Sequence, residues 1–151
     1  ELIAYAKEHP GELRISTAGP GTVPHVSGLL LQQYLDVEFT FVPYQGGKPA
    51  VIAVMGGEVD ATIDWTISMV AEYQGGQLKI LASFTNEPID DERVKDIEPI
   101  GKIYPDLSKH LPYGPYFGVF VHKDCPAEVA EVWEDALDKA LADQRWIEYT
   151  D

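Results

Sequence analysis

The chain has 151 residues, enough for one domain with a real core, and 45% of them are hydrophobic, which argues against disorder. Its 25 Asp and Glu against 11 Lys and Arg give a formal charge of −14, which argues against nucleic acid and against an anionic membrane surface as partner. No apolar run approaches the ~18 residues of a membrane span, so no direct membrane insertion is expected, and the lone Cys125 excludes an internal disulfide and reads as a small buried hydrophobe.

In chain order, residues 1–8 place Leu2, Ile3 and Ala6 at helical spacing, and Pro10-Gly11 stops that helix. No signal peptide or lipidation motif precedes it, so the chain reads as a piece of something longer or a mature fragment. Residues 13–18 form a short strand. A Gly19-Pro20-Gly21 loop leads into a helix over 23–35, with Val26, Leu29, Leu30 and Leu31 on or near its inner face. Residues 38–44, EFTFVPY, alternate as a strand and end in QGGKP. A short helix over 49–55 is closed by Gly56-Gly57. Residues 60–65 are a strand, 66–73 a helix stopped by Gly75-Gly76, and 78–84, LKILASF, a strand.

Strand and helix thus alternate four times with short links, which predicts βαβ units: an α/β fold with a parallel sheet and helices on both faces. Residues 87–113 are charged, Pro-rich and weakly periodic, and read as a linker with one short helix. Residues 116–122, YFGVFVH, read as an apolar strand. Residues 126–143 form an amphipathic helix with Pro126 in its first turn, and a last helix begins near Gln144.

The sequence carries no nucleophile elbow, no phosphate-binding P-loop and no zinc-binding H-E-x-x-H. His9, His25, His110 and His122 are scattered, with none at metal-ligand spacing to another histidine or to Cys125. The loop is not a dinucleotide fingerprint, because the third glycine would fall at Pro24. Asp60 and Asp64 share a face of one strand but lie about 13 Å apart at about 3.3 Å per residue, too far to act as a pair. No catalytic residue, metal or cofactor is expected.

The segment from Ser16 to Leu35 is the informative one. A helix start leaves amide groups free and carries partial positive charge, and glycines let those amides approach a ligand. From Ile15 through Gly47 there is no Lys or Arg. An anion held here would be held by backbone dipoles and by the hydroxyls of Ser16, Thr17 and Thr22. The plainer possibility is that Thr22 caps the helix and Gly-Pro-Gly is only a turn. Two more loops, 44–49 and 64–68, fall at the carboxyl ends of their strands, the edge where open parallel sheets bind ligands. Tyr44 is either core or a hydroxyl donor. Asp64 either caps the next helix, or accepts from a ligand ammonium or fixes a water. Trp65 either walls a pocket or packs in the core.

The stretches AGPGTVPHVSG, VPYQGGKPAVIAVMGGEVDATID, GGQLKILA and YFGVFVHKDCPAEVAEVWEDALDKALADQRWIEY together resemble the substrate-binding proteins of tripartite tricarboxylate transporters, the Bug receptors. The resemblance runs from residue 1 to about 82 and resumes from about 116 to the end. It implies an extracytoplasmic, periplasmic receptor with a two-lobed type II periplasmic-binding fold. Such receptors close on small di- or tricarboxylates or acidic amino acids, held by loop amides and waters, and deliver them to membrane permease subunits. It implies that residues 1–86 are the ligand-binding second lobe, 87–115 an irregular hinge or crossing segment, and 116–151 the return toward the first lobe.

Carried over by position, the ligand-binding residues are Thr17, Ala18, Gly19, Gly21, Thr22, His25, Tyr44, Gly46, Gly47 and Asp64. Gly21 and Thr22 would meet the ligand, and His25 would orient the loop or touch the ligand. Two departures stand out: the stretch after the fourth expected strand lacks the family's usual PDVPT-like segment, and Tyr116-Phe117 stand where a Trp is common. A ligand-sensing domain of a transcriptional regulator with the same fold is the alternative. An enzyme acting on a carboxylate would lack a nucleophile–base pair.

Overall fold

The strand β1 (Arg14–Thr17) is the axis of the molecule's first unit. In the computed structural model, which describes residues 1–113 and 118–150, Ser16 and Thr17 are wholly buried and Ile15 nearly so. Such burial on both faces is what a central parallel strand requires. β2 (Thr40–Pro43) and β3 (Ala61–Thr62) flank it, in the order β2-β1-β3, both parallel to it. The register pairs Ile15 with Phe41 on one side and with Ala61 on the other. The expected α/β class with a parallel sheet is therefore the observed one.

Parallel strands need crossovers, and the helices supply them on opposite faces. α1 (Leu2–Glu8) precedes β1, and α2 (Val23–Leu35) follows it. Ile15, Phe41 and Ile63 face α2, whose Gly28 sits so close that a Cβ there would come within 2.5 Å of the Phe41 ring. On the other face, Ser16 Oγ donates to the carbonyl of Ala50 (2.9 Å) in α3 (Gly47–Met55). The inner face of α2 is not quite the one its leucines suggest. Ser27 and Gly28 are buried while Leu29 is exposed, because small residues let the helix axis approach the sheet.

Beyond β3 the expected helix over 66–73 is split. A 3-10 turn, Thr66–Ser68, is followed after Met69 by α4 (Val70–Gln74). The expected strand over 78–84 does not join the sheet. Its hydrogen bonds go elsewhere: the Ser83 amide donates to the Glu98 carbonyl (3.1 Å) and the Ile100 amide to the Ser83 carbonyl (2.8 Å). A cavity of about 710 Å³ separates it from β3, lined by Ile15, Leu31, Phe39, Ile63, Leu78 and Ile80 among others. Residues 87–113 are better packed than a linker. They hold α5 (Ile100–Ile103) and a 3-10 helix, Pro105–His110. Ile100 and Leu107 enter the same core as Ile15, Leu31 and Phe39, while Val94 and Ile97 pack on Val70.

Residues Glu1–Pro115 and Tyr116–Asp151 are separate compact units. In the second, α6 (Ala127–Leu141) and α7 (Gln144–Thr150) are the helices expected. Of the expected strand, Tyr116 and Phe117 lie outside the described residues, and Gly118 to His122 carry no strand pairing. No helix among the described residues is long and apolar enough to cross a membrane.

Gly28→Ala should destabilise the protein by about 1–3 kcal/mol through overpacking against Phe41. A urea titration checks this; Phe41→Leu added to Gly28→Ala should recover part of the loss.

Candidate functional site

Because all three strands run the same way, their carboxyl ends share one edge, and the loops that leave it carry every candidate residue. The loop after β1 is built by glycine at two left-handed positions, Gly19 at φ 125° and Gly21 at φ 75°. Gly19 is buried against the carbonyl of Tyr44 (3.6 Å from where its Cβ would stand), whereas nothing lies within 4 Å of that point at Gly21. Thr22 takes the N-cap position of α2, yet its hydroxyl does not cap. It donates back to the Gly19 carbonyl at 2.7 Å. His25 accepts the Gly21 amide at Nδ1 (3.1 Å) and lays its ring edge-on to Phe41, centroids 5.0 Å apart. The neutral imidazole therefore carries its proton on Nε2. The loop is thus fastened to the helix it precedes.

These bonds leave the mouth of α2 with donors to spare. The Val26 amide bonds to the Thr22 carbonyl, Pro24 has no N–H, and the amides of Val23 and His25 find no acceptor among the described residues. Thr17, at the end of β1, is fully buried with its hydroxyl oxygen unpartnered. Ser16 has spent its hydroxyl on Ala50.

The second loop differs from the first. The Tyr44 amide pairs with the Thr17 carbonyl (2.9 Å), and its hydroxyl donates to Glu58 (3.2 Å), so what Tyr44 brings to the edge is backbone. Gly46, at φ 108°, turns the chain into α3, and Gly47 opens that helix. A Cβ on Gly47 would stand 2.0 Å from Asp64 Oδ2, so any larger residue there would force this carboxylate to shift. Asp64 Oδ1 accepts the Trp65 amide (2.8 Å), and Oδ2 is buried with no hydrogen-bond partner. Burial pushes the Asp64 carboxyl above its ordinary pKa, against the smaller lowering from the Trp65 amide. The cation nearest in sequence to Gly47, Lys48, is paired with Glu72 of α4.

Asp60 lies at the opposite end of β3. Arg14 holds it through Nε (3.0 Å), Nη2 (2.8 Å) and its own amide (2.9 Å), and these bonds draw its pKa down. It belongs to the sheet's register, not to the site. The structure thus gathers Thr17, Ala18, Gly19, Gly21, Thr22, His25, Gly46, Gly47 and Asp64 at one edge, with Tyr44 contributing main chain. Sequence reasoning missed Phe41 as the platform of the His25 ring. The strand alternation that pairs it with Ile15 was the signal that could have found it. Among the described residues, no group of three His, Cys, Asp or Glu could hold a metal ion.

A parallel sheet whose candidate loops all leave one carboxyl edge defines an α/β fold of the periplasmic-binding class. The chain belongs to the tripartite tricarboxylate transporter family receptors, whose family model matches residues 1–150, as the resemblance implied. A UPF0065 protein of Pseudomonas sp. strain P51 is 31% identical over 94% of this chain and 41% of its own length. Among solved structures, one described as a periplasmic transporter matches with a TM-score of 0.78 and 26% identity, over 97% of this chain and 47% of the other. An R. palustris protein with adipate matches with a TM-score of 0.76 and 24% identity, over 96% and 47%. The chain spans about two fifths of the length of the curated relatives it matches.

Two predictions follow from Asp64. Gly47→Ala should cost about 1–3 kcal/mol, read as a fall in Tm. Because folding raises the Asp64 pKa, its contribution to stability is fully present below the unfolded value of about 3.9 and lost as pH rises through the folded value. Asp64→Asn should therefore melt above the wild type at pH 7, with the gap closing toward pH 4 in thermal melts.

Proposed function

We propose that this chain is the ligand-binding lobe of an extracytoplasmic solute receptor. It captures a small organic carboxylate and passes it to the membrane subunits of a tripartite tricarboxylate-type transporter. The observation that carries this reading is the mouth of α2, where the amides of Val23 and His25 lack acceptors beside the exposed Gly21. Oriented amides at a helix start attract negative charge without a basic side chain, and the absence of Lys and Arg from Ile15 through Gly47 fits that mode. Family membership supports a carboxylate as the ligand, and adipate in the R. palustris neighbour is a small acid of that kind.

In this reading the main chain of Ala18, Gly19 and Gly21 forms the cradle, and the Thr22 hydroxyl and His25 ring hold its shape. Thr17 offers its unpartnered hydroxyl from below, and Tyr44, Gly46, Gly47 and Asp64 bound the far side. The binding lobe was read as residues 1–86. The packing of Ile100 and Leu107 into its core supports counting 87–113 with it. The geometry favours binding over chemistry, because the Thr22 and His25 side chains are spent on holding the loop. The ligand-sensing domain of a regulator would share the lobe; no observation here favours it.

Isothermal titration of the whole receptor against a panel of organic acids tests this proposal. Binding of none of them would refute it. Thr22→Val, which removes the bond to the Gly19 carbonyl, should weaken carboxylate binding by about 1–2 kcal/mol by loosening the cradle. Unchanged affinity in the same titration would show that the hydroxyl does not shape the site.

A further inference from the structure

Two helices begin at the carboxyl edge, and their mouths differ. The α2 mouth has amides without acceptors among the described residues. At the α3 mouth the Asp64 carboxyl stands against Gly47, the first residue of that helix, with Oδ2 buried and unpartnered. Continuing the β1–β3 register, in which Ile15 faces Ala61 and Ser16 faces Thr62, places Asp64 across from Ala18, about 5 Å away at ordinary strand spacing. The backbone of Asp64 therefore borders the very loop that would cradle a ligand, while its carboxylate turns toward Gly47 on the α3 side.

Asp64 forms no ion pair among the described residues: Lys48, on α3, is paired with Glu72 of α4, Arg14 is paired with Asp60 at the far end of the sheet, and Lys79 lines the same cavity as Asp64 without pairing with it. The 3-10 turn that follows, Thr66–Ser68, carries no charge, nor does the β1 loop, and the nearby His25 of α2 is engaged with the Gly21 amide. The raised pKa of Asp64 has burial as its first cause and no charged neighbour among the others. Its single hydrogen bond comes from the Trp65 amide. The interaction of such a charge with a ligand does not need contact. It acts through space, and more strongly in a partly dehydrated cleft than in water.

We infer that Asp64 sets the specificity of the proposed carboxylate site, leaving this lobe one place for a ligand carboxylate, at the mouth of α2, and admitting only neutral or cationic ligand groups beside it. The inference rests on the carboxylate-receptor reading. It converts that reading into a preference: acids whose remaining body next to the β1 loop is hydroxyl, ammonium or hydrocarbon bind better than acids that crowd a second carboxylate there.

The test titrates the whole receptor with two pairs of acids that differ by one carboxylate, glutarate against tricarballylate and benzoate against phthalate. In the wild type the richer acid of a pair should bind about ten-fold more weakly. Asp64→Asn should shrink that ratio by about five-fold or more, and Asp64→Ser should do the same. Thermal melts establish that each variant is folded, and if neither folds the wild-type ratio alone decides. A richer acid that binds the wild type as tightly as its partner, or a ratio that folded variants leave unmoved, overturns the inference while the receptor reading stands. If no acid of either pair binds, the receptor reading itself has failed.

Discussion

The burial of β1 on both faces is the constraint from which the site follows. A strand enclosed by α2 on one side and α3 on the other has no freedom to slide. Its two neighbours fix it through the backbone, and the Ser16 hydroxyl ties it to α3. A shift of one residue would exchange Ile15 and Ser16 between the faces, putting a hydroxyl into the apolar core and a branched chain against the Ala50 carbonyl. At the other end Arg14 grips Asp60 and the Glu58 carbonyl. That pair is partly exposed and contributes modestly to stability, but it sets where β3 begins. With the register fixed, the points at which the three strands release their loops are fixed too.

The site solves an electrostatic problem peculiar to this composition. A chain with formal charge −14 repels anions at long range. Basic side chains in the loop would be the ordinary remedy, and the loop has none. Partial charges at a helix start act over a few ångströms only, so they can hold a negative group once it arrives without neutralising the surface. Glycine is needed at Gly19 and Gly21 because both have a positive φ that other residues rarely adopt, and the hydrogen bonds from Thr22 and His25 convert that freedom into one shape.

Much of this was legible in the sequence. The alternation of strand and helix gave the parallel sheet, and the glycine pairs gave the helix ends. The Gly-Pro-Gly loop with Thr22 and His25 marked the loop proposed here as a cradle, although the partners of those two side chains were not foreseeable: both turn inward to the loop. The misreadings have a common cause. LKILASF has the composition of a strand, but a strand exists only where a partner offers its edge, and here Ser83 and Ile100 take the segment's hydrogen bonds. In α2 the leucines hid the real inner face, because contact distance, not hydrophobicity, chose Ser27 and Gly28. The environment of Asp64 was invisible for a similar reason. Its tight fit against Gly47 joins residues seventeen apart, and nothing local announces it.

If the surface proposed at α2 recognises its ligand through main chain, that has a consequence for how the molecule tolerates change. Alanine scanning deletes side chains and leaves amides in place, so a scan across this loop would report silence at the groups that matter most. Inheritance faces the same blindness: codons for Pro20 or Val23 can drift while the donors persist, and what selection holds constant is a curve in the backbone.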